Sequence, residues 1–160
     1  MASTVIQAFN DFIVNTINLD GDQVRKAKSS RSWLYDRIEN FPTNDSTFPL
    51  LYSGNHLDFG SFARKTKTRT LDDIDMMLCL NADGCTYLEN SIDNITIYFP
   101  DNYAGRLNSF RHTTVGKEHT LSSRRVTNKF VQCLSNVDQY SSAEIKRDGE
   151  AATLNLASYD

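Results

Sequence analysis

Two aspartates at the start of an apolar run are the residues best suited to chemistry in this 160-residue chain. Asp73 and Asp75 stand two positions apart, and on a β-strand such residues point to the same face, about 7 Å apart. Paired carboxylates suit a hard divalent cation such as Mg²⁺ or Mn²⁺, which also takes phosphate oxygens of a substrate. The pair therefore predicts a metal site.

A glycine and a serine precede these aspartates along the chain, at Gly60 and Ser61. A tight Gly-Ser turn brings backbone N–H groups and a hydroxyl close to phosphate oxygens, and it favours the start of a short helix. Turn and carboxylates together predict a site for a triphosphate and a metal ion. The alternative is a loop of surface aspartates leading into a core strand.

The residues that follow the aspartates predict a strand covered on both faces. Apolar side chains fall on one face at Ile74, Met76, Leu78 and Leu80, and on the other at Met77 and Cys79. This pattern is typical of a central strand. Carboxylates at the end of a buried strand are costly unless a cation compensates them, which favours a metal site over the surface-loop alternative.

This segment resembles the signature of the polymerase-β-like nucleotidyltransferases, in which a Gly-Ser turn and a basic loop precede an Asp-Ile-Asp run. Within that superfamily it is most similar to the bacterial relatives of cyclic GMP-AMP synthase, which make cyclic di- and trinucleotide second messengers in anti-phage defence. The resemblance covers Phe59 to Leu80. It rests on Phe59-Gly60-Ser61-Phe62-Ala63-Arg64 and Leu71-Asp72-Asp73-Ile74-Asp75.

The resemblance implies an α+β fold, the nucleotidyltransferase palm, with helices packed on a mixed sheet. It implies one palm domain over residues 1–160, with N-terminal helices in 1–42 and a catalytic core in 50–160. It also implies that Gly60 and Ser61 bind the donor nucleoside triphosphate, while Asp73 and Asp75 bind magnesium or manganese with a third acidic residue from a later strand.

Two positions are open for that third acid. Asp160 stands near the expected place but lacks the Asp-hydrophobic-hydrophobic-Pro context of the family, so the alternative is an acid beyond residue 160. The helical half that follows the palm in the family is also absent from this sequence. We therefore expect the N-terminal part of a larger enzyme, inactive alone and prone to dimerise through an exposed edge. The other reading is a naturally minimal nucleotidyltransferase.

The expected activity is transfer of a nucleoside monophosphate from a triphosphate to a hydroxyl by two-metal catalysis, giving a cyclic di- or trinucleotide for antiviral defence. Two other classes stay open, a non-catalytic or antitoxin-like nucleotide-binding module and a nucleotidyltransferase acting on RNA or a small molecule. The basic residues between the motif halves either reach phosphates or form a solvated surface. They are Arg64, Lys65, Lys67 and Arg69.

Composition excludes several other classes. A formal net charge of −3 argues against nucleic-acid binding by bulk charge, and 39% apolar residues are enough for a packed core. No apolar run reaches membrane-spanning length, and the N-terminus lacks a signal-peptide pattern. Three cysteines without metal-ligand spacing favour reduced thiols, so we expect a cytoplasmic protein without a membrane partner.

Periodicity places helices over residues 3–18 and 121–137. A second helix is expected to be capped by Asp22 and ended by Pro42.

Alternating residues predict a strand over 95–99 and a hairpin over 142–158 with a turn at Arg147-Asp148-Gly149-Glu150. Residues 81–94 are polar and predict a loop, with a turn at Asp83-Gly84.

Overall fold

The structure is a computed structural model and describes residues 4–68, 71, 73–91 and 94–156. Helices and short antiparallel strand pairs alternate along these residues, so the α+β class is as predicted. The helices are α1 (Val5–Phe12), α2 (Gly21–Glu39), α3 (Phe41–Asn44), α4 (Gly60–Ala63) and α5 (Ser123–Ser135). The strands are β1 (Leu57–Phe59), β2 (Asp75–Met77), β3 (Thr86–Ser91), β4 (Asn94–Tyr98), β5 (Glu144–Asp148) and β6 (Ala151–Asn155).

The strands pair two by two within the described residues. β1 pairs with β2, β3 with β4 and β5 with β6, each time antiparallel. The predicted mixed sheet is therefore not what this part of the chain shows. The expectation that the β2 strand is covered on both faces is also wrong, because Met76 is half-buried while Met77 keeps 44% of its surface exposed.

The chain divides into two compact units. The first comprises Met1–Asn40 and Tyr52–Cys79, and it contains α1, α2, α4 and the β1–β2 pair. The second comprises Phe41–Leu51 and Leu80–Asp160, and it contains α3, α5 and the other two strand pairs. All four site residues expected before residue 80 therefore belong to the first unit.

Helix α2 of the first unit begins one residue after Asp20. The Asp20 carboxylate accepts hydrogen bonds from the backbone N–H groups of Asp22 and Gln23, at 2.9 and 3.1 Å. The predicted cap at Asp22 is therefore wrong, because Asp20 takes the extended backbone that a cap needs and Asp22 lies in the first turn. The helix ends at Glu39, and Pro42 lies in α3 instead.

The predicted N-terminal helix is confirmed but is not covered. It continues from α1 into one π-helical turn over Ile13–Ile17. The apolar side chains of α1 remain exposed, with Val5 and Phe9 exposing 87% and 63% of their surfaces, while Ile13 and Ile17 of the π-helical turn are half-buried. In the described residues no helix combines the length and apolar character required to cross a bilayer.

An aromatic cluster forms the core of the second unit. Phe48 is fully buried, and the rings of Phe41 and Phe130 meet it edge-on at centroid distances of 5.3 and 4.8 Å. Phe130 belongs to α5, on which Val126, Phe130 and Leu134 are buried along one side, whereas Val137 of the predicted helix 121–137 lies beyond its end and is half-buried. α5 packs against β5 and β6, the predicted hairpin, so this helix organises the unit.

The polar segment predicted as a loop contains strand β3. Its residues are exposed along their whole length, so they show no alternation that could reveal a strand. The turn before it is confirmed, with positive φ angles at Asp83 and Gly84. Pairing with β4 makes this segment a strand.

Candidate nucleotide and metal site

Gly60 lies directly against the side chain of Asp75. The β1–β2 register pairs Phe59 with Asp75, so the chain turns into α4 beside that carboxylate. A Cβ atom placed on Gly60 would lie 2.9 Å from the Cβ of Asp75 and would overlap its carboxylate. Gly60 also has a φ of +72°, which side chains rarely adopt. Only glycine fits this position on both grounds, and the structure brings these two predicted site residues together.

Ser61 anchors the loop that follows the turn. Its backbone carbonyl accepts hydrogen bonds from the N–H groups of Thr66 and Lys67, at 3.0 and 3.2 Å. The Lys67 ammonium in turn lies 2.8 Å from Oδ1 of Asp73. Ser61 and Asp73 are therefore linked through one residue.

The two predicted metal ligands share an exposure pattern. Asp73 and Asp75 are exposed, whereas Ile74 between them and Met76 after them are half-buried. This alternation is that of an extended chain with both carboxylates on the same, accessible face. The prediction of an aligned pair is consistent with this pattern, although strand β2 begins only at Asp75.

The described residues contain no group of three or more His, Cys, Asp or Glu side chains that could hold a metal ion. Asp160, the candidate third acid, lies outside the described residues. Asp73 and Asp75 still fit a hard divalent cation, since both residues are exposed and offer carboxylate oxygens. They would supply two of the ligands that a two-metal site needs.

Helix α2 supports the site through a basic residue that the sequence did not single out. The Arg31 guanidinium pairs with the Asp58 carboxylate of β1 at 2.9 Å. It also lies 5.8 Å from the ring centre of Phe62, the buried aromatic side chain of α4. Arg31 thus contacts both elements that flank Gly60. Arg31 and Asp58 are 27 positions apart, so no local sequence pattern predicts their ion pair.

Tyr35, one helical turn beyond Arg31, approaches the same strand. Its hydroxyl lies 3.4 Å from the Asp58 carboxylate and 3.5 Å from the Leu57 carbonyl. Burial, and then the nearby negative charge of Asp58, raise the pKa of Tyr35. Tyr35 therefore stays neutral and acts as a donor here. It belongs to the framework of the site.

His56 closes the other end of the β1–β2 pair. Its Nδ1 accepts a hydrogen bond from the backbone N–H of Cys79 at 3.0 Å, so Nε2 carries the proton. Nε2 lies 2.9 Å from Glu39 Oε1, in a close polar contact without good hydrogen-bond alignment. The ring stacks on Tyr35 at 5.8 Å. These contacts give His56 a structural role at this end of the strand pair.

The α+β class and the contact between Gly60 and Asp75 are the features to set beside known proteins. No family model matches the chain. Across 161 aligned positions, covering all of this chain, it is 43% identical to a Bacillus cereus protein named as a probable cyclic nucleotide synthase. The aligned region is 47% of that protein, so the chain spans about half the length of this relative. Identity at this level over the whole chain makes the two proteins homologues.

Proposed function

We propose that this chain is the nucleotide-binding and metal-binding part of a nucleotidyltransferase that makes a cyclic nucleotide. The observation that carries the proposal is the contact between Gly60 and Asp75, which sets a Gly-Ser turn against a carboxylate of the candidate metal pair. The 43% identical relative, named as a probable cyclic nucleotide synthase, supports the same class. The finer product, a cyclic di- or trinucleotide of antiviral defence, follows from the resemblance of Phe59–Leu80 to that family.

In this proposal the chain positions reactants and takes little part in covalent chemistry. The turn at Gly60 and Ser61 receives the phosphates of the donor through backbone N–H groups and a hydroxyl. Asp73, Asp75 and a third acid hold two divalent ions, which when bound lower the pKa of the acceptor hydroxyl and stabilise the departing pyrophosphate. Because two such ions repel each other, the acidic ligands must offset their charge. Positioning and charge compensation supply most of the rate enhancement.

Neutral replacements of the two carboxylates test the assignment. Asp73→Asn and Asp75→Asn keep the side-chain shape and remove the charge that a divalent ion requires. In the whole enzyme, each variant should lower conversion of a labelled triphosphate by about 100-fold or more. Asp11→Asn, at an exposed position in α1, is the matched control and should retain activity. Near wild-type conversion in either site variant would overturn the assignment.

A specific contact favours a second candidate, a non-catalytic nucleotide-binding module. The Lys67 ammonium forms an ion pair with Asp73, so a lysine of the chain itself takes the place that a metal ion would have in an active enzyme. Such a module should bind a triphosphate equally well with and without Mg²⁺. An enzyme of the proposed kind should bind the triphosphate more tightly when Mg²⁺ is present.

A further inference from the structure

We propose that Lys67 is an exchangeable counter-ion of the acidic pair. In the metal-free protein it neutralises Asp73, and on binding of the metal–triphosphate complex it leaves Asp73 for a phosphate oxygen. The inference rests on the proposed function, since it assumes that Asp73 is a metal ligand and that the Gly60–Ser61 turn receives phosphates.

Lys67 is more buried than a lysine in a fully solvated loop would be. The Lys67 Nζ atom lies 2.8 Å from Asp73 Oδ1, and only 16% of the Lys67 side chain is exposed. Asp73, in contrast, keeps 58% of its side chain exposed. An ammonium ion therefore covers one side of the carboxylate while the other side stays open to an incoming ligand.

The backbone of Lys67 is fixed beside the expected phosphate position. Its N–H donates to the Ser61 carbonyl at 3.2 Å, next to the equivalent bond from Thr66. The lysine side chain starts from this anchored backbone, and in the proposed exchange a change of its rotamer redirects the ammonium. A phosphate at the turn would lie near the same anchor point. Lysine binds phosphate as a mobile point charge.

Charge balance gives the exchange its direction. Without a cation, Asp73 and Asp75 repel each other, and Lys67 offsets one of the two charges. A divalent ion at the pair repels the ammonium, while the negative triphosphate attracts it. The exchange thus couples metal binding to nucleotide binding, because the ammonium opposes the metal alone and favours the metal–triphosphate complex.

The alternative is that Lys67 and Asp73 form a permanent structural ion pair. The two hypotheses make opposite predictions for metal affinity. If Lys67 competes with the metal, Lys67→Gln should bind Mn²⁺ more tightly, by roughly tenfold at low salt for a unit charge removed near a divalent ion. If Lys67 instead holds Asp73 in position, its loss should leave Mn²⁺ affinity unchanged or weaker.

The experiment uses the 160-residue chain and needs no turnover. Mn²⁺ affinity is measured by electron paramagnetic resonance, and affinity for a non-hydrolysable nucleoside triphosphate with Mg²⁺ is measured by calorimetry. Lys67→Gln should tighten Mn²⁺ binding and weaken triphosphate binding several-fold. Lys67→Arg keeps the charge and should keep Mn²⁺ affinity within about twofold of wild type. Lys65→Gln, an exposed lysine in the same loop, should change neither.

Circular dichroism of each variant establishes that it is folded. The proposal is overturned if folded Lys67→Gln binds Mn²⁺ no more tightly than wild type, or if Lys65→Gln reproduces its effect. If wild type binds Mn²⁺ and Asp73→Asn abolishes that binding, a negative result for Lys67→Gln removes only the counter-ion role. If Asp73→Asn and wild type bind Mn²⁺ equally, the metal site itself fails, and the counter-ion role fails with it.

Discussion

The Asp75 carboxylate fills the space beside the Cα atom of Gly60, so any side chain at position 60 would displace it. The contact follows from the β1–β2 register, which pairs Phe59 with Asp75 one residue before the chain turns. Two segments separated in sequence are thereby held at one point. In the folded unit the candidate phosphate turn therefore lies against the candidate metal ligand.

Gly60→Ala should damage the first unit more than a glycine replacement with similar backbone strain. Gly54 supplies the control, because its φ is +83° and a Cβ there would meet nothing within 4 Å. Gly54→Ala should lower the free energy of unfolding by about 1 kcal/mol. Gly60→Ala should lower it by roughly 1–3 kcal/mol more, because the added Cβ also displaces Asp75.

Urea unfolding followed by the fluorescence of Trp33 measures this difference, since the single tryptophan lies in α2 of the same unit. Gly60→Ala should also weaken Mn²⁺ binding, whereas Gly54→Ala should not. Equal destabilisation by the two substitutions would contradict the contact with Asp75.

Arg31→Met should weaken the site from a distance. Methionine keeps much of the aliphatic bulk but loses the ion pair with Asp58 and the contact with the Phe62 ring. Losing a largely buried charged partner should cost about 1–3 kcal/mol in the unfolding of the first unit. Arg25→Met is the control, because Arg25 pairs with Asp22 at the surface and such pairs contribute under about 1 kcal/mol.

Triphosphate affinity separates a positioning role from a purely structural one. At a temperature where the Arg31→Met variant is fully folded, it should bind a non-hydrolysable triphosphate more weakly than Arg25→Met does. Unchanged affinity in the folded variant would limit Arg31 to a contribution to stability.

Asp45 should make the second unit sensitive to acid. The Lys129 ammonium lies 2.6 Å from Asp45 Oδ2, and this hydrogen bond, aided by Thr47, holds the pKa of Asp45 well below its usual range. The lowered pKa adds stability above the unfolded-state pKa of about 3.9, and that stability is lost as pH falls through the folded-state pKa. The advantage of wild type over Asp45→Asn should therefore be full near pH 6 and shrink below about pH 4.

Chemical unfolding monitored by circular dichroism at several pH values tests this dependence. Asp101→Asn, at an exposed position of the same unit, should show no such pH-dependent difference. A difference between wild type and Asp45→Asn that stays constant from pH 6 to about pH 3 would remove the ion pair as its cause.

The 160-residue chain alone should release no pyrophosphate above background when incubated with Mg²⁺ and each nucleoside triphosphate. The described residues contain no group of three His, Cys, Asp or Glu side chains that could hold a metal ion, and two-metal transfer in the proposed mechanism needs three acids. A coupled pyrophosphate assay measures the outcome. Robust release would assign the third acid to Asp160 or to another acid of this chain, in favour of a minimal enzyme.

Local signals predicted the local elements well. The apolar stripe of α5 is visible as spacing, and the hairpin is visible as turn chemistry. The helix forms close to its expected bounds, and the hairpin turns at Gly149 and Glu150, inside the predicted turn. The turn at Gly60 is equally local, because a glycine is the residue expected where the backbone of a tight turn needs a positive φ. These elements depend on neighbours within a few positions, which a single sequence displays.

Long-range contacts could not be predicted in the same way. Strand β3 exists through its pairing with β4, and its exposed polar residues carry no periodic pattern. Arg31 reaches Asp58 across 27 positions, and nothing in the spacing of charges distinguishes it from other basic residues of α2. The basic loop had two readings, phosphate contacts or a solvated surface, and neither included the ion pair between Lys67 and Asp73.

The β1–β2 pair consists of three residue pairs, Leu57–Met77, Asp58–Met76 and Phe59–Asp75, and β1 is exposed along its length. So short a ladder opens for a small free energy, and its amide hydrogens should exchange with solvent far sooner than those of α5. A ligand that binds only the closed form adds its binding free energy to that opening. Deuterium uptake at residues 57–59 should therefore slow when metal and nucleotide bind the site, whether or not any product forms.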